Sequence, residues 1–301
     1  MDLQTLAQGV AEKIRKEMGE GYLISVTTNL KNNSTEQIGI TFVHQQENAS
    51  PTIYINDLLE QMLRDERKPG EVVREVLSRY ENSMTASEEI KRMDLDLPSC
   101  KNRVVYRLIS RERNKKMLED FPYIPFLDMA ITFHIVVGVK QTYIQTIKID
   151  KRLQEKWGVS VEQLLKMANS NTEKIFPLEI SDLNKIVKQH LTIKEDEQTE
   201  AGGPDMIVIT NTTGLFGASA VLYEEVMQNI ADEIESDLFV IPSSVHEMIL
   251  VPAEDEKLYF VFCDLVRKIN ENFVSRDEIL SDRVYIYLRK EKKFINRQDS
   301  P

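Results

Sequence analysis

The stretch Asp205–Pro252 constrains the fold more than any other part of the chain. A short apolar run, Met206–Ile209, leads into a loop, Asn211–Gly217, that carries two glycines. A long amphipathic helical pattern follows, and then two more short apolar runs divided by Pro242-Ser243-Ser244. Strand, loop, helix and further strands in that order predict a sheet with a helix laid against it. The same stretch holds the loop best suited to cradle a ligand.

The rest of the chain repeats this mixture. Leu3, Leu6, Val10, Ile14 and Met18 recur at three- and four-residue steps and predict a helix over residues 2–19, ended by Gly19 and Gly21. Alternating strands follow around Tyr22–Val26 and Ile38–Phe42, with Lys31–Ser34 as the turn. Pro51–Ile55 is extended, Asn56-Asp57 caps a helix, and Pro69 starts another. Thr85 and Glu88, spaced as a capping box, predict a separate short helix over Thr85–Met93.

Beyond Asp94–Lys101 the pattern predicts a strand (Arg103–Ile109), a helix (Ser110–Glu119) and a proline-punctuated turn (Phe121–Pro125). A long strand (Phe126–Val137) and a hairpin connection at Gly138–Gln141 lead to a further strand, Thr142–Ile149. Ser160 and Gln163 form a capping box, and Ser181 opens a further helix. Late in the chain Leu258, Phe262, Leu265, Val266, Ile269 and Phe273 make one helical stripe, and a final strand runs through Val284–Leu288. The tail from Lys290 reads as frayed.

The fold class is therefore α/β to α+β, with mixed β-sheets packed by amphipathic helices, in two domains. Residues 1–97 form an N-terminal α+β domain and residues 98–301 a C-terminal domain. The latter is made of two loosely similar units, 98–191 and 205–290, joined by a flexible acidic loop, 192–204.

Composition narrows the function. The formal charge of −11 over 301 residues argues against a nucleic-acid partner, which needs clustered Lys and Arg. It favours a basic or polar protein partner. Two cysteines, Cys100 and Cys263, suffice for neither a disulfide framework nor a zinc site, and fit a reducing, cytoplasmic setting. The N-terminus lacks the basic start and apolar run of a signal peptide, and no apolar run is long enough for a membrane span. The pattern of residues calls for no cofactor and no metal.

Three constellations could carry chemistry. Asn211, Thr212, Thr213, Gly214 and Gly217 stand between a strand and a helix, where backbone N–H groups attract anions. The loop is neither a Walker loop, since no Lys follows its second glycine, nor a dinucleotide fingerprint. Leu215 and Phe216 would crowd a phosphate, and the competing reading is a strand-to-helix turn whose Leu and Phe plug the core. Ser243, Ser244, His246 and Glu247 bring hydroxyls near an imidazole, as a nucleophile and its base would be. They lack the glycines of a nucleophile elbow, and serines after proline serve turns and caps. Asp128, Thr132 and His134 fall on one face of the predicted long strand. Six residues of strand separate Asp128 from His134 by about 20 Å, too far for partnership. Asp128 reads better as a buried acid bonded to a helix terminus.

Pro51–Tyr54, Val105–Ile109 with Asn114, Phe126–Ala130, Trp157–Val159, Leu222-Tyr223, Ile241–Glu247 and Leu280–Tyr285 stand out as segments. Together they resemble an uncharacterised bacterial family, a domain of unknown function of Lachnospiraceae-type gut Firmicutes. The Asp128 segment, the Gly214–Phe216 turn and the Pro242 turn are more distantly similar to the YtpQ-like uncharacterised family of Bacillus-type bacteria. The resemblance implies a bacterial, cytoplasmic protein and supplies no reaction. Two functions stay open: a non-enzymatic interaction or regulatory protein, or a small-ligand binder or hydrolase-type enzyme with a cleft near Gly214 and Ser243-Ser244-His246.

Overall fold

A computed structural model describes residues 2–44, 52–91, 94–140, 143–182 and 206–297. The predicted acidic loop and the helix expected beyond Asp182 lie outside the described residues. The chain divides into two compact units, Met1–Leu95 and Asp96–Pro301.

In the first unit, helix α1 (Leu3–Met18) is capped by the Asp2 carboxylate, which accepts from the Thr5 amide. Its apolar face, Ala7, Val10, Ala11 and Ile14, is buried. Strands β1 (Tyr22–Leu30), β2 (Glu36–His44) and β3 (Thr52–Tyr54) form an antiparallel sheet in that order. Helices α2 (Asn56–Leu63) and α3 (Pro69–Lys91) complete a core in which Phe42 stacks on Tyr80 at 4.1 Å. Two local expectations change. Ile55, not Asn56, is the residue before α2, and the Asn56 side chain accepts from the Ile38 amide on β2 instead of capping. As far as Lys91 the helix expected at Thr85–Met93 is the continuation of α3, because no helix-breaking residue interrupts it; its last two residues lie outside the described ones.

The second unit opens with a single turn, α4 (Leu97–Cys100), capped by Asp96 through the Ser99 amide. Four strands follow: β4 (Val104–Ser110), β5 (Tyr123–Phe126), β6 (Met129–Lys140) and β7 (Tyr143–Lys148). The long strand β6 pairs with the other three. Its N-terminal limit corrects the predicted strand. Leu127, at φ +56°, and Asp128 form a two-residue hairpin turn, so Asp128 stands outside β6 and shares no strand face with Thr132 and His134. Its carboxylate accepts from Ser281 Oγ (2.9 Å) and from the Tyr285 hydroxyl, not from a helix terminus.

The helix expected over Ser110–Glu119 shrinks to one turn, α5 (Lys115–Leu118). Ser110 belongs to β4, and the buried Asn114 side chain donates to its carbonyl (2.8 Å). Pro125, expected in a turn, lies in β5 opposite Ala130. The Gly138–Lys140 connection is strand, bulged between Val136 and Gly138.

Helices α6 (Lys151–Trp157) and α7 (Val161–Ile175) follow, the latter entered through the Ser160–Gln163 capping box. Side chains from α7 close the free edge of β4, where Thr172 Oγ1 accepts from the Tyr106 amide and Asn171 Nδ2 donates to the Val104 carbonyl. An open strand edge is a template for unwanted pairing, and this one is capped.

The remaining strands are β8 (Leu178–Asp182), β9 (Ile207–Asn211), β10 (Leu238–Ser244), β11 (Glu247–Pro252), β12 (Tyr285–Leu288) and β13 (Lys293–Ile295). They form a six-stranded sheet in the order β13-β12-β10-β11-β9-β8. Ser181 does not open a helix; it pairs with Val208 inside β8. Within the tail expected to fray, Lys293–Ile295 form β13. The long helix expected after Gly217 is broken into a buried 3₁₀ segment, Gly217–Leu222, and α8 (Val226–Ile234). Helix α9 (Glu256–Asn272) lays Tyr259, Phe262, Cys263 and Val266 on the sheet against Phe239, Ile241 and Val251. The chain thus has the expected mixture of helix and strand, and all described pairings are antiparallel.

Candidate functional site

The Asn211–Gly217 loop and the Val245-His246 hairpin turn meet. Gly217 is the reason they can approach so closely. A Cβ on it would lie 2.6 Å from the His246 carbonyl oxygen and 2.8 Å from the Asn211 amide nitrogen. The Thr210 hydroxyl donates to that same His246 carbonyl (2.8 Å). The Phe216 ring lies 5.6 Å from the His246 ring.

The loop spends its donors on itself and its neighbours. The Thr212 amide donates to the Pro177 carbonyl and that of Gly214 to the Asn211 carbonyl. The Thr213 amide reaches Asn211 Oδ1, and the Leu215 amide reaches Thr213 Oγ1. The Phe216 amide donates to His246 Nδ1 (3.1 Å). A phosphate cradle needs several N–H groups aimed outward together. Here these five consecutive amides all have protein acceptors. Gly214, at φ +66° with open space around it, serves the turn.

The serine–histidine group is also spent locally. Ser243 Oγ donates to Glu247 Oε1 (3.0 Å), and Ser244 Oγ accepts from the His246 amide (3.0 Å). Since Nδ1 of His246 accepts from Phe216, the neutral ring carries its proton on Nε2, 3.4 Å from Glu278 Oε1. The lone pair a general base would use is thus occupied by a backbone amide, and the imidazole ties the loop to the turn.

Phe216 also contacts Arg107, a residue that belongs to none of the three constellations. The Arg107 guanidinium stacks on the Phe216 ring at 3.7 Å. It is 8% exposed, and burial draws its pKa down to about 9. Among the described residues no carboxylate pairs with it, and Nη2 has no hydrogen-bond partner. On the same sheet face His134 is 4% exposed, held well below the ordinary histidine range by burial and by nearby Arg107 and Lys148. One cation within the otherwise apolar-and-small strand Val104–Ser110 was the signal that could have found this place.

Helix α9 carries a different kind of surface. Leu265 and Ile269 are 46% and 36% exposed, Val261 is 57% and Phe273 just past its end is 84%. Beside them opens a small apolar cavity of about 70 Å³, lined by Met206, Ile241, Ile249, Leu265 and Ile269. The predicted single stripe is therefore two adjoining ones. Phe262 and Val266 face the sheet, and Val261, Leu265 and Ile269 face outward. Both cysteines are buried, and no disulfide joins them. Among the described residues no helix is long and apolar enough to cross a membrane, and no group of His, Cys, Asp and Glu has the arrangement of a metal site.

Fold and surface together define an α+β protein with an internally bonded loop–turn junction and an exposed apolar helix stripe. The chain belongs to a family of unknown function, DUF5688, whose model matches residues 3–289. No curated protein and no solved structure matches it.

Proposed function

We propose that this chain is a non-enzymatic protein-interaction or regulatory protein, and that it holds an amphipathic helix of a protein partner against the outward stripe of α9. The observation that carries this reading is the run Val261, Leu265, Ile269 and Phe273, exposed at four-residue spacing beside an apolar cavity. Helix-in-groove recognition uses anchors at this spacing. From Val261 to Phe273 the stripe is about 18 Å long, room for roughly three turns of a partner helix. The net charge of −11 favours a partner with basic flanks. Support also comes from the loop and turn, whose polar groups are committed to one another.

In this reading the protein works in the bacterial cytoplasm without nucleic acid, and residues 1–97 and 98–301 act as separate domains. The test is a pair of charge insertions, Leu265→Asp with Ile269→Asp, made in the full-length chain. Tagged wild-type and double-variant protein are recovered from the native cells. The partner lost by the variant is then purified and titrated against both. Binding weakened at least tenfold in the variant, about 1.4 kcal/mol, is expected. Equal binding sinks the reading. So does turnover of an ester, phosphoester or nucleotide by the pure protein that is abolished by His246→Ala.

A further inference from the structure

Strand β1 stands at one end of the first unit's sheet, with β2 on one side only. Which of its backbone groups face the open edge follows from β2. The Ile38 carbonyl accepts from the Ile55 amide and the Ile38 amide donates to Asn56 Oδ1, so the backbone of Ile38 turns toward β3. Thr28, opposite Ile38, then turns away from β2, and Val26 and Ile24 turn with it at two-residue steps. The Ile24 carbonyl accepts from Arg15 Nη2 (2.9 Å). Among the described residues no strand meets the outward groups of Val26 and Thr28.

Sheet edges are ordinarily blunted by charge, proline, a bulge or a covering element. Side chains of α7 close the edge of β4 in this way, but β1 carries none of the sequence devices. Tyr22–Leu30 holds no charged residue and no proline, in a chain of which 29% is charged. Its register with β2 runs from end to end without a shift.

The face of β1 turned away from the core adds a second observation. The Thr27 hydroxyl lies 3.1 Å from that of Thr41, which lies 2.8 Å from that of Thr52. Thr27 can lean toward Thr41 because its direct partner, Gly39, has no side chain. The three hydroxyls make a row across the sheet that ends at the open edge.

A second copy of the same strand fits this edge. Arg15 closes it at the Ile24 carbonyl, which leaves Val26 and Thr28 to carry a new ladder. An antiparallel pairing with its two-fold axis at Thr27 sets Val26 of each copy opposite Thr28 of the other, and each such pair exchanges both N–H···O bonds. Thr27 then faces its own counterpart in the closer, non-hydrogen-bonded position, where Cα atoms lie about 4.5 Å apart. The two hydroxyl rows join there, and Thr–Thr pairs are favourable across strands. The pairing also covers Val26, only partly buried at the margin of its own core. No like charges meet along the strand, despite the net charge of −11.

We propose that β1 is a self-association edge. Two copies of the chain join antiparallel through it, with the axis at Thr27, into one continuous sheet ordered β3-β2-β1-β1-β2-β3. This surface is separate from the α9 stripe and does not rest on the reading given to that stripe.

The test follows the full chain by sedimentation equilibrium over a concentration series, where the mass is expected to rise to twice that of one chain. Thr28→Pro removes an outward N–H and none from the β1–β2 ladder, and should weaken dimerisation at least tenfold. If that variant does not fold, Thr27→Lys and Thr27→Glu serve instead. Each sets like charges against each other at the axis and should weaken the dimer as much, and an equimolar mixture of the two should regain it. Mild oxidation reads the register. Thr27→Cys should give a disulfide-linked dimer, since the approach at the axis is within disulfide range, while Ser25→Cys, set opposite Asn29, should not. The native Cys100 and Cys263 are both buried. Leu265→Asp with Ile269→Asp should dimerise like the wild type. A single-chain mass at every concentration overturns the proposal. So do wild-type dimerisation by folded Thr28→Pro or Thr27→Lys, equal cross-linking through Ser25→Cys, or loss of the dimer in the α9 double variant.

Discussion

Gly217→Ala is the sharpest test of why the loop contains glycine. A methyl carbon there would meet the His246 carbonyl oxygen at 2.6 Å and the Asn211 amide nitrogen at 2.8 Å, and would also strike Thr210 Oγ1. Comfortable contacts fall at about 3.5 Å or more, so two backbone atoms on different elements must each retreat by most of an ångström. Neither is the far end of a flexible side chain. Moving them strains the Phe216–His246 hydrogen bond and the Thr210–His246 bond together. Overpacking of this kind costs about 1–3 kcal/mol, and the backbone contacts put this site at about 3 kcal/mol. For a unit the size of Asp96–Pro301 that is a fall in Tm of about 6–12 °C. Gly214→Ala is the control. Nothing lies within 4 Å of its Cβ, and only the φ of +66° is strained, at about 1–2 kcal/mol. Thermal and urea unfolding of both variants measure the difference. If Gly217→Ala lies within 0.5 kcal/mol of wild type, or Gly214→Ala costs more, close packing is not what the second glycine provides.

Three further outcomes are expected. Asp128→Ala or Ser281→Ala should destabilise by about 1–3 kcal/mol, because each leaves buried partners unsatisfied. In a double-variant cycle the two should be strongly non-additive, and additive losses would show that Asp128 and Ser281 act separately. His134 titrates in the unfolded chain near its ordinary 6.5 but lower when folded, so below that pH the unfolded state binds the extra proton. Stability is thus present above pH 6.5 and lost as pH falls toward the folded value, by up to about 1.4 kcal/mol per pH unit. His134→Gln should flatten that slope relative to wild type in urea titrations at pH 5–7, and an unchanged slope refutes the buried-neutral assignment. Leu265→Asp with Ile269→Asp should cost about 1–2 kcal/mol in urea unfolding, because both side chains keep part of their apolar surface in the cavity and Asp is a weaker helix former, while partner binding falls.

The parts of the fold legible in the sequence are those fixed by local chemistry. The α1 stripe and the Ser160–Gln163 box need only their own neighbours, and both form as expected. Elements that depend on distant pairing were not legible. Ser181 has the look of a helix cap, but β9 supplies hydrogen-bond partners that make it strand. Leu127 is an apolar residue at φ +56° in a two-residue turn, a place where glycine or asparagine is usual. Without that clue most of β5 reads as a turn, the long strand is started at Phe126, and Asp128 lands on the wrong element. The α9 stripe shows a different gap. Periodicity finds Phe262, Leu265, Val266 and Ile269 together, but only the sheet beneath decides that Phe262 and Val266 are buried while Leu265 and Ile269 stay exposed. Arg107 was readable, since one cation inside Val104–Ser110 stands out from its neighbours. What could not be read was that, among the described residues, no acid meets it.

The most direct measurement of the proposed role is a titration of the purified native partner against wild-type chain and the Leu265→Asp, Ile269→Asp double variant, both folded at the temperature of the titration. The interaction reading predicts a Kd at least tenfold weaker for the variant. Identical Kd values would contradict it.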